Sequence, residues 1–186
     1  TASPTASAGT DGVRCANNAG IQLNGSVTVA NGGTWSGAGG TFTPNANALN
    51  ATYAPSAGEL AAGQVTLTLT TTGNNGCTAV NDAVSYTFTP APTANAGSDL
   101  NSCANNASVA LNGAITVATG GLWTGGSGGF SPNNTALNAT YVPSAAEIAA
   151  GTATLTLTTV GNGLCSAVSD QVVVTIAPSP IVDAGT

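Results

Sequence analysis

The stretch Thr154-Leu155-Thr156-Leu157-Thr158 places an apolar residue at every second position, with threonine between. Successive side chains of a strand point to opposite faces, so this period buries the leucines and leaves the threonines wet. The same reading holds for Thr66-Leu67-Thr68-Leu69-Thr70. Working outward, Val109, Leu111, Gly113, Ile115 and Val117 also fall on one face, with a bulge or bend expected at Gly113. Ile21, Leu23, Gly25, Val27 and Val29 repeat that face. A short strand carries Trp123 after Gly120-Gly121, Phe130 follows a Gly/Ser loop, and Leu137, Ala139 and Tyr141 make another strand. Ser144, Glu147 and Gly151 supply the N-cap, capping-box partner and stop of one helical turn. Asn162-Gly163 signals a hairpin, and the last strand runs through Val168, Val172, Val174 and Ile176. The predicted fold is all-β: tandem antiparallel β-sandwich domains of Ig-like or fibronectin-like type, with no sizeable helices.

The word "tandem" comes from a repeat. Cys15, Trp35, Tyr53 and Cys77 recur as Cys103, Trp123, Tyr141 and Cys165, each 88 positions later without insertion or deletion. Roughly three-fifths of the aligned positions are identical, which marks a duplication. Pro-containing stretches at Thr89–Pro92 and Ala177–Pro180 set the boundaries. The expected organisation is repeat 1 over 1–91, repeat 2 over 92–179 and the start of a third repeat over 180–186, the piece being cut from a longer array. An 88-residue period without an internal sub-period disfavours a β-solenoid.

Composition excludes several chemistries. The chain has one Lys or Arg, seven acids and no His or Met among 186 residues, for a net charge of −6. Histidine-dependent triads and zinc sites are excluded, as is lysine Schiff-base chemistry. One cation cannot neutralise a phosphate backbone, so nucleic acid is not an expected partner, and an anionic membrane surface is disfavoured by the same charge. The apolar runs are too short for a membrane span. No carboxylate pair lies close in sequence, so no enzyme activity is expected.

The remaining candidate residues read structurally. The cysteines have no metal spacing and no basic neighbour that would activate a thiol, so they are expected in disulfides. Cys15–Cys77 and Cys103–Cys165 are the expected pairs, with a bridge between units as the alternative. Such bridges imply an oxidising compartment. Trp35 and Trp123 are expected in the core, the alternative being sugar-stacking platforms. Tyr53 and Tyr141 are expected to pack inward or make a corner hydrogen bond. Asp11, Asp99 and Asp170 are weak calcium candidates, with turn capping the favoured role for them and for Asp82 and Asp183. No other cofactor is expected. Thr66, Thr68 and Thr70 and their partners suit the wet face of a strand. The Asn-x-Ser/Thr sequons at Asn24, Asn50, Asn106, Asn133 and Asn138 follow from composition.

The ordered series Ala-Gly-Ser-Asp-Leu-Asn-Ser-Cys (96–103), Leu-Asn-Gly (111–113), Gly-Gly-Leu-Trp-Thr-Gly (120–125), Leu-Asn-Ala-Thr-Tyr-Val-Pro-Ser (137–144) and Leu-Thr-Leu-Thr-Thr (155–159) resembles PKD-like or Ig-like tandem repeats. Such repeats occur in very large surface proteins of Bacteroidota that look like gliding-motility-type adhesins exported by type IX secretion. The resemblance covers both units. It implies an extracellular, cell-surface stalk, spacer or self-assembling filament. The expected partners are neighbouring repeats and, in a filament, identical chains. The alternative is a carbohydrate-binding Ig-like module with a glycan partner.

Overall fold

Residues 2–37 and 39–182 are described by a computed structural model of the chain. They divide into two units, Thr1–Ala91 and Pro92–Thr186. Residues 183–186, which carry Asp183 and most of the expected third-repeat motif, lie outside the described residues.

In the first unit the chain runs β1 (Thr5–Ser7), β2 (Gly12–Cys15), β3 (Ile21–Gln22), β4 (Ser26–Thr28), β5 (Gly32–Ser36), β6 (Thr41–Thr43), β7 (Thr52–Ala54), α1 (Ala57–Ala62), β8 (Gln64–Thr72) and β9 (Asn81–Thr89). The second unit repeats this as β10 (Thr93–Asn95), β11 (Leu100–Cys103), β12 (Val109–Ala110), β13 (Ala114–Thr116), β14 (Gly120–Gly125), β15 (Gly129–Ser131), β16 (Thr140–Val142), α2 (Ala145–Ala150), β17 (Thr152–Val160) and β18 (Ser169–Ala177). Each unit is thus an Ig-like β-sandwich with one short helix. A four-stranded sheet, β2-β9-β8-β5 or β11-β18-β17-β14, faces a three-stranded one, β3-β7-β6 or β12-β16-β15. A two-stranded ribbon, β1-β4 or β10-β13, completes each unit.

The alternating threonine strands lie at the heart of the larger sheets. Val65, Leu67 and Leu69 of β8 are buried while Gln64 and Thr66 are exposed, and Leu155 and Leu157 of β17 follow suit. They pack against Trp35, Tyr53 and Val84 in one core and Trp123, Tyr141 and Val172 in the other.

The alternating segment over 109–117 breaks around Gly113, where a bulge or bend is expected, and so divides into β12 and β13, with the Gly113 amide donating to the Leu137 carbonyl between them. A Cβ on Gly113 would sit 2.8 Å from the Trp123 ring and from Leu157 Cδ2, so the chain can cross the core only where a side chain is missing. The sheets, expected to be antiparallel throughout, are not wholly so. β2 pairs parallel with β9, Gly12 opposite Tyr86 and Cys15 opposite Thr89, and β11 pairs likewise with β18. β11 carries no apolar alternation, and its residues are half-exposed or exposed, so periodicity does not reveal it.

Candidate functional site

Among the described residues the ionisable groups of each unit fall into three places: a Tyr–Glu network beside the helix, an aspartate lacing along the last strand, and the two ends of the sandwich.

The network grows from the capping box. In the second unit Ser144 accepts from the Glu147 amide, and the Glu147 carboxylate accepts in return from the Ser144 amide at 2.8 Å. Gly151 ends the helix in the left-handed conformation that glycine adopts without strain. The Glu147 carboxylate also accepts from the Tyr141 hydroxyl at 2.7 Å and from the Ser127 amide at 2.9 Å. The Tyr141 oxygen accepts in turn from the Gly128 amide at 2.9 Å. Tyr53, Glu59, Ser56, Gly39 and Gly40 reproduce this in the first unit, with Tyr53 donating to Glu59 at 2.8 Å. Tyr141 is fully buried and Glu147 only 8% exposed.

Burial and the neighbouring carboxylate push both tyrosines up to about 12. Burial pushes Glu147 up, but the Ser144 amide, the Tyr141 hydroxyl and the Ser127 amide outweigh it and hold the carboxyl below its usual 4.5. Glu59 is lowered in the same way: burial raises it, and the Ser56 and Gly39 amides and the Tyr53 hydroxyl pull it down further. A carboxylate surrounded by fixed donors is a poor proton acceptor. The arrangement anchors a loop to the helix. Sequence pattern exposes the capping box and the inward tyrosine, but not their connection. The further signal is glycine: a Cβ at Gly128 would approach the Tyr141 oxygen to 2.8 Å.

The aspartates stitch the unit's entry segment to its last strand. Asp82 accepts from the Ala8 amide at 2.8 Å and Asp170 from the Ala96 amide at 2.8 Å. Asp11 accepts from the Ser85 amide at 2.8 Å and Asp99 from the Val173 amide at 2.9 Å. The calcium candidates Asp11, Asp99 and Asp170 are therefore each turned to a backbone donor. Among the described residues no group of three His, Cys, Asp or Glu could hold a metal ion.

Trp35 and Trp123 lie in the cores, 2% and 0% exposed, and donate their indole N–H groups to the Leu49 and Leu137 carbonyls at 3.3 Å. Neither ring face is open to a sugar. Outward threonines bond across strands instead: Thr5 with Thr28 at 2.6 Å, Thr93 with Thr116 at 2.7 Å and Thr66 with Ser85 at 3.0 Å.

The expected disulfides Cys15–Cys77 and Cys103–Cys165 are not formed, since Cys77 and Cys103 are free thiols. The topology of one unit gives the reason. Cys15 ends β2 opposite Thr89, the last residue of β9, and the next amide, Ala16, donates to the Thr89 carbonyl at 2.9 Å. Cys77 sits in the loop that leads from β8 into the first residue of β9, in a turn closed by its own amide to the Asn74 carbonyl at 2.9 Å. The nine residues of β9 separate the two, a rise of roughly 27 Å, whereas a disulfide needs Cα atoms within about 7 Å. Cys103, opposite Ala177, and Cys165, in the β17–β18 loop, are separated by β18 in the same way. Buried Thr71 and Thr159 fix these loops, their hydroxyls accepting from the Val80 and Val168 amides at 3.0 Å.

No family model matches the chain, and no curated protein does. Solved structures do resemble it. Drosophila N-cadherin EC1-4 has a TM-score of 0.48 and 11% identity, over 96% of this chain and 50% of that one. The insect immune protein hemolin has 0.47 and 7%, over 95% and 47%. Titin domains Z1Z2 in complex with telethonin have 0.38 and 10%, over 97% and 99%. The chain thus spans about half the length of the first two. Among the described residues no helix is long and apolar enough to cross a membrane.

Proposed function

We propose that the chain is a structural repeat segment of a long extracellular surface adhesin or filament, in which each unit serves as a stiff spacer. One observation carries this reading. Each unit closes its own core and commits its described carboxylates, Asp11, Asp82 and Glu59 or Asp99, Asp170 and Glu147, to its own backbone. Such a unit can be copied without regard to its neighbours, as an array requires. Single cationic residue Arg14 packs its guanidinium over the Tyr86 ring, 5.7 Å from the centroid. Trypsin therefore has one site to attack, which suits an exposed stalk.

The resemblance to PKD-like and Ig-like repeats supports an origin in a Bacteroidota surface protein exported by type IX secretion. The linker supports the spacer role. Pro90 and Pro92 stand between β9 and β10, and proline stiffens a short connection. Small-angle scattering tests the reading. Two units held end to end, their centres roughly 40 Å apart, give a radius of gyration of about 23 Å, against about 16 Å for one compact globule of this length. A value near 16 Å would overturn the spacer reading.

A further inference from the structure

The chain contains five Asn-Gly steps, at 24–25, 31–32, 75–76, 112–113 and 162–163. In such a step the glycine amide nitrogen can attack the asparagine Cγ, because glycine has no Cβ to block the approach. The ring closes only where that amide and that side chain are both free to turn. Four of the five steps are held. The Gly25 and Gly113 amides donate to the Leu49 and Leu137 carbonyls at 2.9 and 3.0 Å. A Cβ there would fall 2.7 Å from the Trp35 ring or 2.8 Å from the Trp123 ring, so neither backbone has room to move. Gly32 stands in β5 opposite Thr72, and the Asn31 amide donates to the Thr72 and Gly73 carbonyls at 3.1 and 3.3 Å. Asn162 donates its side-chain amide to the Thr159 carbonyl at 3.1 Å, and its Oδ1 is buried.

Asn75-Gly76 is the exception. Both residues are exposed in the loop between β8 and β9, with φ of 52° and 85°. Among the described residues neither the Asn75 side chain nor the Gly76 amide has a hydrogen-bond partner. A Cβ on Gly76 would meet nothing within 4 Å. The second copy of the loop supplies the contrast. Asn74 makes the bonds of Asn162, its side-chain amide donating to the Thr71 carbonyl at 3.3 Å, but in the first unit the glycine comes one residue later. The step therefore passes from a held asparagine to an open one.

We propose that Asn75 is a self-modification site, which the folded chain converts to aspartate and isoaspartate with water as the co-reactant. Hydroxide removes the Gly76 amide proton, the nitrogen bonds to Asn75 Cγ, and the Cγ–Nδ2 bond breaks. The departing nitrogen takes a proton from water and leaves as ammonia, which restores the hydroxide. Water then opens the five-membered imide at one of its two carbonyls. One opening gives aspartate; the other gives isoaspartate, whose main chain runs through the former side chain. Nothing is oxidised or reduced. Each conversion adds one negative charge to a chain of net charge −6. Isoaspartate also lengthens the turn that the Cys77 amide closes on the Asn74 carbonyl at 2.9 Å. The base of the loop, where the Thr71 hydroxyl accepts from the Val80 amide, lies outside that turn. The site belongs to one loop of one unit and does not depend on the spacer reading.

The folded 186-residue chain is incubated at pH 8, then cleaved at glutamate at mildly acid pH, where the reaction stops. Glu59 and Glu147 are the only glutamates, so Asn24 and Asn31, Asn75 and Asn112, and Asn162 fall on three peptides. Mass spectrometry with electron-transfer fragmentation separates aspartate from isoaspartate and reads each position. Asn75 should convert roughly tenfold faster than each of the other four, which must first break a hydrogen bond or open the strand ladder. Isoaspartate at position 75 should accompany the aspartate. In the chain unfolded by guanidinium the five rates should draw level. Asn75→Gly, which installs the residue that the second copy carries there, should remove the early product and leave the other four rates unchanged. Conversion of Asn75 no faster than the other four in the folded chain, or a tenfold preference that survives unfolding, would overturn the proposal.

Discussion

Replacing Tyr53 and Tyr141 together by phenylalanine removes one hydroxyl from each core while leaving both rings in place. Each hydroxyl donates to a carboxylate, Glu59 at 2.8 Å or Glu147 at 2.7 Å, and accepts from a glycine amide, Gly40 at 2.7 Å or Gly128 at 2.9 Å. A buried bond to a charged group contributes about 1.5–3 kcal/mol, and the stranded amide adds a desolvation cost, so roughly 2–4 kcal/mol per unit should be lost. The alkaline side gives a separate readout, the cost of ionising a buried phenol beside a carboxylate. A folded value near 12 against the ordinary 10.0 means the neutral hydroxyl is favoured in the folded state. That stabilisation is complete below pH 10 and is lost as pH rises through 12; two pH units correspond to roughly 3 kcal/mol per tyrosine. The assay is guanidinium unfolding followed by the fluorescence of Trp35 and Trp123, one in each core, from pH 8 to 12. The parent should weaken steeply above pH 10, and the double variant should start lower and decline less. Substituting both units keeps them equivalent. A loss below about 0.5 kcal/mol per unit at pH 8, or an alkaline decline as steep as the parent's, would refute the reasoning.

Other outcomes follow from the same geometry. Glu59 and Glu147 titrate below 4.5 in the fold, so their stabilisation is present above that value and lost as pH falls through the lower folded one; E59Q/E147Q should flatten the melting temperature between pH 5 and 2, as read by circular dichroism. Gly113→Ala, which pushes a Cβ towards Trp123 and Leu157, should cost about 1–3 kcal/mol in denaturant unfolding. Trp123→Ala should cost about 3–5 kcal/mol and move the unfolding of the second unit alone. Asp170→Asn should release the entry segment at Ala96 and speed amide exchange there, leaving the Tyr141–Glu147 loop protected.

Much of the fold is legible in the sequence because its strands are one-sided. Leu155 and Leu157 must face a core, and Ser144, Glu147 and Gly151 can only frame a helical turn. The bend at Gly113 shows as a hole in an apolar alternation. What periodicity does not carry is the edge. Leu100–Cys103 pairs through its backbone with β18, and no side-chain pattern marks a strand half-exposed along its length. The cysteine pairing goes wrong for that reason. With β11 unseen, Cys103 looks like a loop residue free to approach Cys165, whereas its pairing with Ala177 holds it at the far end of the strand. The Tyr141–Glu147 bond is equally hidden: each residue has a sufficient local role, and only the turn that brings Gly126 and Gly128 over the tyrosine joins them.

The surface-repeat account is tested most directly on intact cells that make the protein. Antibodies raised against the 186-residue chain are applied without permeabilisation, and gold label is located by electron microscopy. Label on unbroken cells, standing away from the envelope along extended projections, is the expected result. Label that appears only after permeabilisation, inside the cell, would contradict it.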